Sequence, residues 1–325
     1  MIPFYDHNGA PTLPIKLSQL HNFAAVVEAG AVRQAARTLN LSQSSITKSI
    51  QQLEEELGVV LLHRGAHGVS ATDAGKALLA RAKTIDAQLR HARSDVEAAQ
   101  GASVGQIRIS ASPAVAMGLL PRAIMAFQRT HPRVSFHILE AVYPDVLTDV
   151  RTGDVDLSIC LVPSLPRDET LRFDGLVKDR LVPAVRADHP LIGKRKLSLS
   201  DLLPLDWIIY RGSRTGLDIF EQTFRANRLE PPKSTVECTS FACALALVES
   251  GNYVTLVPSQ IFAGTRKTQA IVPVMLDSPM QPWQVAVISR VEPELSAVCQ
   301  AFMAELKQVA AKIELPKSGR SRGRS

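Results

Sequence analysis

The chain has 325 residues, of which 46% are hydrophobic and 21% charged, a composition typical of a soluble protein with two or three globular domains. No apolar stretch approaches the roughly 18 residues that a transmembrane helix needs, and the N-terminus lacks the pattern of a secretory signal. The four cysteines form no CxxC pair. These features exclude a disulfide scaffold and lead us to expect a cytoplasmic protein with reduced thiols.

The formal net charge of +6 is concentrated near the two ends of the chain. Residues 16–93 carry ten Lys/Arg against six Asp/Glu, and the last nine residues carry four Lys/Arg and no acid. Clustered positive charge is typical of surfaces that bind nucleic acid, because each neutralised phosphate releases counterions. A solvated basic surface is the alternative, and charge alone does not decide between the two.

The N-terminal segment has the pattern of three short helices. After a proline-containing arm over 1–16, which we expect to be mobile, a helix begins at Ser18 and ends at Gly30. A second helix covers 31–39, and Asn40 suits the left-handed turn that follows it. Ser42 is a favourable N-cap for a third helix.

The third predicted helix separates apolar from polar side chains. One face carries Ile46, Ile50, Leu53 and Leu57 at helical spacing. The opposite face and the N-terminal tip carry Gln43, Ser44, Thr47, Lys48 and Gln51. Amides, hydroxyls and one cation can hydrogen-bond base edges in a major groove, so we predict that these five residues bind DNA. The alternative is an ordinary amphipathic helix, and the acidic run that follows, Glu54–Glu56, is expected to be solvated.

A short hairpin follows the third helix. Gly65 and Gly68 bracket its turn, Arg64 stands at its base, and Thr72 is positioned to cap a new helix. A basic residue on such a wing can contact the minor groove or the phosphates. Arg64 is therefore a further predicted DNA contact.

The order of these features resembles one family of regulators. The AA pair in the second helix, the SQ before the third, the LEEELG that ends it, the R-G wing and the T-x-AG helix start are together similar to the DNA-binding domain of LysR-type transcriptional regulators. The resemblance implies that Gln43, Ser44, Thr47 and Lys48 face the operator. Ser44 stands where proline is common in the family, and Lys48 where arginine is common, so the base preference is open.

A long helix is predicted over 74–100, with a flexible joint at 101–103. Its apolar residues recur with an alternating spacing of four and three, a seam that one helix cannot bury alone. We expect a second subunit to cover this seam, and packing on the chain's own body is the alternative. The seam residues are Leu78, Ala82, Ile85, Leu89, Ala92 and Val96. The family resemblance implies a dimer, often a tetramer, and hence a pseudo-palindromic operator.

The rest of the chain alternates strands and helices, which predicts an α/β body with largely parallel sheets. It resembles the two-lobed, type 2 periplasmic-binding-protein fold of LysR-type effector domains. The expected domains are an extension over 1–16, a winged helix-turn-helix over 17–75, a linker helix and hinge over 76–103, an effector domain over 104–313 and a basic disordered tail over 314–325. The first lobe takes about 104–180 and 281–313, and the second lobe about 181–280.

The candidate effector site lies where ligands bind such folds, beyond the ends of the strands. The first strand is followed by a predicted helix that starts at Pro113, with free N–H groups on Ala114, Val115 and Ala116 to attract an anion. Arg211 could hold a carboxylate or sulfonate in bidentate fashion, or form only a surface salt bridge. The predicted effector-binding residues are Ser110, Ser112, Pro113, Ala114, Tyr143, Arg211 and Ser213. The region resembles family members that respond to aromatic carboxylates or sulfonates.

Other functions fit the sequence less well. No GxSxG, HExxH, P-loop or helix-opening GxGxxG is found, so an enzyme is not predicted, and neither a metal nor a cofactor is expected. A regulator that senses oxidants through Cys238 and Cys243, or one without an effector, is the open alternative. The expected partners are duplex DNA, a small-molecule effector, further copies of the chain and RNA polymerase, with no membrane partner.

Overall fold

In a computed structural model of the protein, the structure describes residues 15–65, 68–99, 104–194, 197–212, 214–262, 270–277, 280 and 282–313. The predicted mobile arm, apart from its last two residues, and the predicted basic tail over 314–325 lie outside these ranges. None of the helices within these ranges combines the length and apolar character that a membrane crossing requires.

The described chain folds into ten α-helices and eleven β-strands. The helices are α1 (Leu17–Ala29), α2 (Val32–Leu39), α3 (Gln43–Leu57), α4 (Asp73–Ala99), α5 (Pro113–Met117), α6 (Leu119–Gln128), α7 (Val146–Thr152), α8 (Arg214–Ala226), α9 (Phe241–Ser250) and α10 (Ala297–Ala311). The strands are β1 (Leu62–Gly65), β2 (Gly68–Ala71), β3 (Val104–Ala111), β4 (Arg133–Glu140), β5 (Leu157–Val162), β6 (Leu171–Arg186), β7 (Asp206–Tyr210), β8 (Ser234–Cys238), β9 (Tyr253–Pro258), β10 (Ile271–Pro273) and β11 (Pro282–Arg290).

The N-terminal unit is a three-helix domain with a two-stranded wing. Its core contains Phe23, Val26, Ala35, Ala36, Ile46, Ile50, Leu53, Leu61 and Leu62. The two turns between helices use left-handed backbone, at Gly30 (φ 63°) and at Asn40 (φ 54°). The left-handed turn predicted at Asn40 is confirmed, and Gly30 ends α1 as predicted.

The wing is fastened to the helices by backbone hydrogen bonds. The amide of Val69 donates to the carbonyl of Gly30 at 2.8 Å, which ties β2 to the turn between α1 and α2. Thr72 caps α4 as predicted, because its hydroxyl accepts from the amide of Gly75 at 3.0 Å and donates to the carbonyl of Val60 at 2.9 Å. A Cβ at Gly75 would lie 2.2 Å from the carbonyl oxygen of Leu61, so this position requires glycine.

The C-terminal unit is built on one mixed sheet, with strand order β4-β3-β5-β11-β6-β9-β7-β8 and β10 paired to β6. β3 pairs in parallel with β4 and β5, and β7 with β8 and β9. β11 and β6 run antiparallel to their neighbours. The α/β class is confirmed, and the expectation of largely parallel sheets is corrected by these central strands.

A single long strand joins the two lobes of this unit. The first part of β6, up to Arg180, pairs with β11, and its last part, from Leu181, pairs with β9 and β10. One apolar core packs α6 and α10 on the β3 side of the sheet, and another surrounds the buried Trp207 on β7. The sequence patterns missed β6, because Gly175 and Pro183 interrupt an otherwise strand-like run.

Candidate DNA-binding surface and effector cleft

The third helix has the predicted polarity. The hydroxyl of Ser42 accepts a 3.1 Å hydrogen bond from the amide of Ser45, so the helix begins where the sequence placed it. Ile46, Ile50 and Leu53 have no exposed surface and fill the core of the unit. The rest of α3 is thereby fixed in orientation relative to α1 and α2.

The opposite face of α3 is open to solvent. Gln43, Ser44, Lys48 and Gln51 are exposed, and Thr47 is partly exposed. The hydroxyl of Ser44 lies 2.9 Å from that of Ser42, so this side chain also belongs to the capping turn. The structure therefore brings all five predicted helix contacts onto one accessible surface, which we call the recognition face. Their role in DNA binding stays a prediction.

The acidic end of α3 differs from the expectation of a solvated run. The carboxylate of Glu54 accepts hydrogen bonds from the amides of Leu61 and Leu62, at 2.7 and 3.2 Å. Glu56 accepts from the side chain of Gln19 at 3.1 Å. Glu54 thus holds the start of the wing against α3, because its carboxylate accepts from two backbone amides there.

Arg64 is exposed on β1, opposite Val69 in the hairpin. The residues of the wing tip, 66–67, lie outside the described ranges. Arg33 and Arg37 on α2 are also exposed and stand one helical turn apart. Arg33 and Arg37 are not among the DNA contacts predicted from the sequence, although they contribute to the positive charge of residues 16–93. In helix-turn-helix proteins the helix before the recognition helix crosses the DNA backbone, where such cations can contact phosphates.

The seam on α4 divides into two parts. Ala82 is buried, and Leu78 packs against the core of the N-terminal unit. Ile85, Leu89 and Val96 expose 38%, 49% and 58% of their surface. The first part of the seam is therefore covered by the chain itself, as the alternative hypothesis held, and the later part remains an exposed apolar stripe.

A cleft of about 110 Å³ lies between the two lobes of the C-terminal unit. The first lobe contributes Ser112, Pro113, Ala114, Val142, Tyr143 and Leu161 to its wall. The second lobe contributes aromatic and aliphatic side chains, among them Tyr210, Phe220 and Phe241. These second-lobe residues were not predicted, because each belongs to an apolar pattern that also fits an ordinary core.

Four of the seven predicted effector-binding residues line this cleft: Ser112, Pro113, Ala114 and Tyr143. Ser110 does not, because it lies within β3 between β4 and β5 and has no exposed surface. Ser213 lies outside the described residues. The hydroxyl of Ser112 is buried and has no hydrogen-bond partner within the described structure.

Arg211 forms the surface salt bridge that the sequence left open as its other role. Its guanidinium lies 2.8 Å from the carboxylate of Glu237, with nearly half of each side chain exposed. The residue is not part of the cleft wall described above. Direct binding of an effector carboxylate by Arg211 stays a prediction that requires this ion pair to open.

The structure corrects one part of the anion site expected at the start of α5, the free amide of Ala116. α5 has only five residues before Gly118 interrupts it, and α6 starts afresh. The amide of Ala116 donates to the carbonyl of Ser112 at 2.9 Å and is not free. A helix of little more than one turn also sums few peptide dipoles, so its attraction for an anion is small.

A buried carboxylate lies where β6 passes from one lobe to the other. Asp179 accepts hydrogen bonds from the hydroxyl of Ser259 at 2.6 Å and from the amide of Arg180 at 2.7 Å. Burial raises the pKa of Asp179, and the hydrogen bond from Ser259 opposes this change. No sequence pattern predicts a role for Asp179, because a single aspartate in a strand has no recognisable motif around it.

The four cysteines are free thiols. Burial raises the pKa of Cys160 to about 12 and also raises the pKa of the partly exposed Cys238. A raised pKa lowers the fraction of thiolate, the form that reacts with oxidants. Cys243, the other thiol of the redox hypothesis, is exposed and close enough to Cys238 to interact with it, so a redox sensor stays the alternative.

Comparison with known proteins defines the class of this chain. Residues 17–76 match the bacterial regulatory helix-turn-helix protein, lysR family, and residues 100–311 match the LysR substrate binding domain. A wing-bearing helix-turn-helix joined to a two-lobed substrate-binding domain defines a class of DNA-binding regulator. The chain belongs to the LysR family of DNA-binding transcriptional regulators.

Relatives are similar over most of their length. The SDS degradation transcriptional activation protein of Pseudomonas sp. (strain ATCC 19151) is 30% identical over 251 residues, which cover 76% of this chain and 80% of that protein. The HTH-type transcriptional regulator YdcI of Escherichia coli (strain K12) is 24% identical over 294 residues, or 90% and 95%. These proteins are regulators and not enzymes, in agreement with the sequence-based prediction for this chain.

The fold also matches solved structures. Full-length CbnR complexed with its target DNA superposes with a TM-score of 0.66 at 24% identity, covering 90% of this chain and 99% of that one. This likeness shows a shared fold over about 90% of this chain.

Proposed function

We propose that this regulator binds a pseudo-palindromic operator through the recognition faces of two subunits, and that a small molecule in the cleft switches its activity. The observation that carries the first part is the exposed polar face of α3 on a helix whose other side is locked into the core. Lys48 is exposed there, and the recognition face carries no acidic side chain. A duplex can therefore approach without meeting like charge.

The exposed stripe on α4 supports a dimer. Ile85, Leu89 and Val96 would each gain from removal of apolar surface from water, at about 25 cal/mol for each Å² buried. A second copy of α4 presents the same stripe and can cover it in a two-fold symmetric pair. Two recognition faces then meet two half-sites, which is the reason for expecting a pseudo-palindromic operator. A tetramer and a contact with RNA polymerase stay predictions of the family resemblance.

The position and lining of the cleft support the proposal of a small-molecule effector. Its walls come from both lobes, which are joined through β6 and the segment that leads into β11. A molecule that binds one relative position of the lobes better than another shifts the population toward that position. The sequence predicted an aromatic carboxylate or sulfonate, and the aromatic side chains of Tyr143, Phe220 and Phe241 in the wall support the aromatic part.

The proposal is tested by gel-shift titration of the full chain against the DNA that flanks its own gene. We expect retardation at low salt and a steep loss of affinity as salt increases, because phosphate neutralisation releases counterions. Footprints with and without candidate effectors report the switch, since the protected region should change when the lobes move. Absence of retardation for every promoter fragment at low salt would contradict the proposal.

A further inference from the structure

The cleft wall is almost entirely apolar. Twelve of its sixteen residues are aliphatic, aromatic or proline side chains without a polar atom, and the other four are Ser112, Tyr143, Tyr210 and Thr255. Thr255 is already engaged, because its hydroxyl donates to the carbonyl of Ile208 at 2.9 Å. An ionised ligand group placed against such a wall would lose its hydration without gaining a partner of opposite charge.

The charges near the cleft do not compensate that loss within the part of the chain that the structure describes. The guanidinium of Arg211 is paired with Glu237 and stands outside the wall. The pKa of Tyr210 is raised mainly by burial, and further by the negative charge of Glu140. Surroundings that disfavour ionisation of the Tyr210 phenol also disfavour a ligand anion beside it, because burial and nearby negative charge destabilise both anions.

Two hydroxyls in the wall are suited to a neutral polar group. The Ser112 hydroxyl is buried without a partner, a state that costs free energy, and because its oxygen has almost no accessible surface a ligand group reaches it by rotation of the side chain about χ1. The Ser112 hydroxyl does not cap α5, so a ligand that hydrogen-bonds it would break no contact of that helix. The Tyr210 hydroxyl, on the facing lobe, can donate or accept as well. A ligand bridging the two would contact both lobes.

The volume of the cleft indicates the size of the ligand group that its apolar wall can enclose. A space of about 110 Å³ for water-sized groups accommodates on the order of ten non-hydrogen atoms, at roughly 10–15 Å³ for each such group. This corresponds to one aromatic ring, or a short alkyl chain, with a single polar substituent.

We infer that the effector is an electroneutral, mainly apolar molecule of this size, whose hydroxyl, carbonyl or amide group hydrogen-bonds Ser112, and not a free carboxylate or sulfonate. This inference rests on the proposed effector function of the cleft and revises the charge predicted from the sequence.

The test compares four probes that share one ring and differ in charge. Para-tolylmethanol and para-toluamide are neutral, whereas para-toluate and para-toluenesulfonate are anions. The dissociation constant of each for the full chain is measured by calorimetry and by ligand-detected NMR, at constant ionic strength. We expect both neutral probes to bind at least about tenfold more tightly than the anions, a difference of about 1.4 kcal/mol.

Two serine variants form a matched pair. Ser112→Ala removes a hydroxyl from the cleft wall and should weaken binding of the neutral probes by about fivefold to tenfold, the value of one neutral hydrogen bond. Ser110→Ala removes an equally buried and unpartnered hydroxyl that is outside the wall, and it should leave binding unchanged. Equal effects of the two substitutions would contradict the assigned role of Ser112.

The outcomes separate this inference from the proposed function. Tighter binding of the anions would overturn the inference and leave an effector-controlled regulator standing. Binding of none of the four probes at millimolar concentration would also overturn it, because the cleft would then not accept molecules of this size and polarity. The proposed DNA-binding function fails only if promoter retardation by the same preparation is absent too.

Discussion

The carboxylate of Asp179 accepts a 2.6 Å hydrogen bond from the hydroxyl of Ser259, and both side chains are buried at the point where β6 passes between the lobes. The hydroxyl and the neighbouring amides supply the donors that a buried carboxylate needs. Ser259 begins the turn of 3-10 helix after β9, so the contact ties the second lobe to the crossover strand. We infer that this pair stabilises the connection between the two lobes.

Removal of the hydroxyl should destabilise this joint. Ser259→Ala leaves Asp179 buried with one donor fewer, and we expect the free energy of unfolding to fall by about 2 kcal/mol, within the range for hydrogen bonds to charged groups. Chemical denaturation of the full chain measures the change. Ser250→Ala, at an exposed serine, is the control and should alter stability by less than about 0.5 kcal/mol. Equal stability of the two variants would contradict a role for the pair.

The same carboxylate predicts a pH dependence. Because burial raises the pKa of Asp179 in the folded state, the folded protein holds this proton more tightly than the unfolded chain does. Its contribution to stability therefore falls as pH rises from about 4 through the raised folded-state pKa. The free energy of unfolding of the wild type, minus that of Asp179→Asn, should therefore decrease as pH rises over that interval. A difference that grows with pH would show that the folded-state pKa is lowered instead.

Gly75 should tolerate no side chain. The Cβ of Gly75→Ala would meet the carbonyl oxygen of Leu61 at 2.2 Å, and this oxygen belongs to backbone that also receives the amide of Thr72. Relief of the clash requires a shift of the start of α4 or of the wing, with an expected loss of about 1–3 kcal/mol. Gly65→Ala is the control, because a Cβ there meets nothing within 4 Å. Thermal unfolding of both variants gives the comparison.

The exposed part of the α4 seam should hold the dimer together. Leu89→Glu places a charge in the middle of the apolar stripe, and burial of that charge against an equivalent helix is unfavourable. We expect the variant to sediment as a monomer at concentrations where the wild type is a dimer. Ala77→Glu adds the same charge at another exposed position of α4, off the stripe, and should leave the assembly intact. A dimeric Leu89→Glu protein would assign the interface elsewhere.

Sequence reasoning succeeded where local chemistry determines structure. Ser42 and Thr72 cap their helices, Asn40 adopts the left-handed turn, and the apolar face of α3 is buried. Each of these depends on neighbours within a few residues, which a sequence displays directly.

Most of the errors concern contacts between segments that are distant in the chain, although the short α5 was a local one. Glu54 has the sequence surroundings of a solvated acid, but the fold brings two amides of the wing to it. Arg211 follows β7 as expected, yet the neighbouring strand β8 presents Glu237 to it. The apolar residues of the second-lobe wall could equally have filled a core. Only the pairing of strands decides such cases, and no local pattern encodes it.

We infer that the polar side of α3 contacts the bases of the operator. The affinity of Lys48→Ala for operator DNA is the most direct test. Lys76→Ala is the control, because Lys76 is an exposed cation on α4, paired only with the exposed Asp73. On the DNA that flanks the gene, we expect Lys48→Ala to lose about 1–3 kcal/mol of binding free energy, which is roughly fivefold to 150-fold in affinity. Lys76→Ala should bind as the wild type does. Equal affinities of the two variants for that DNA would contradict the assignment of the recognition face.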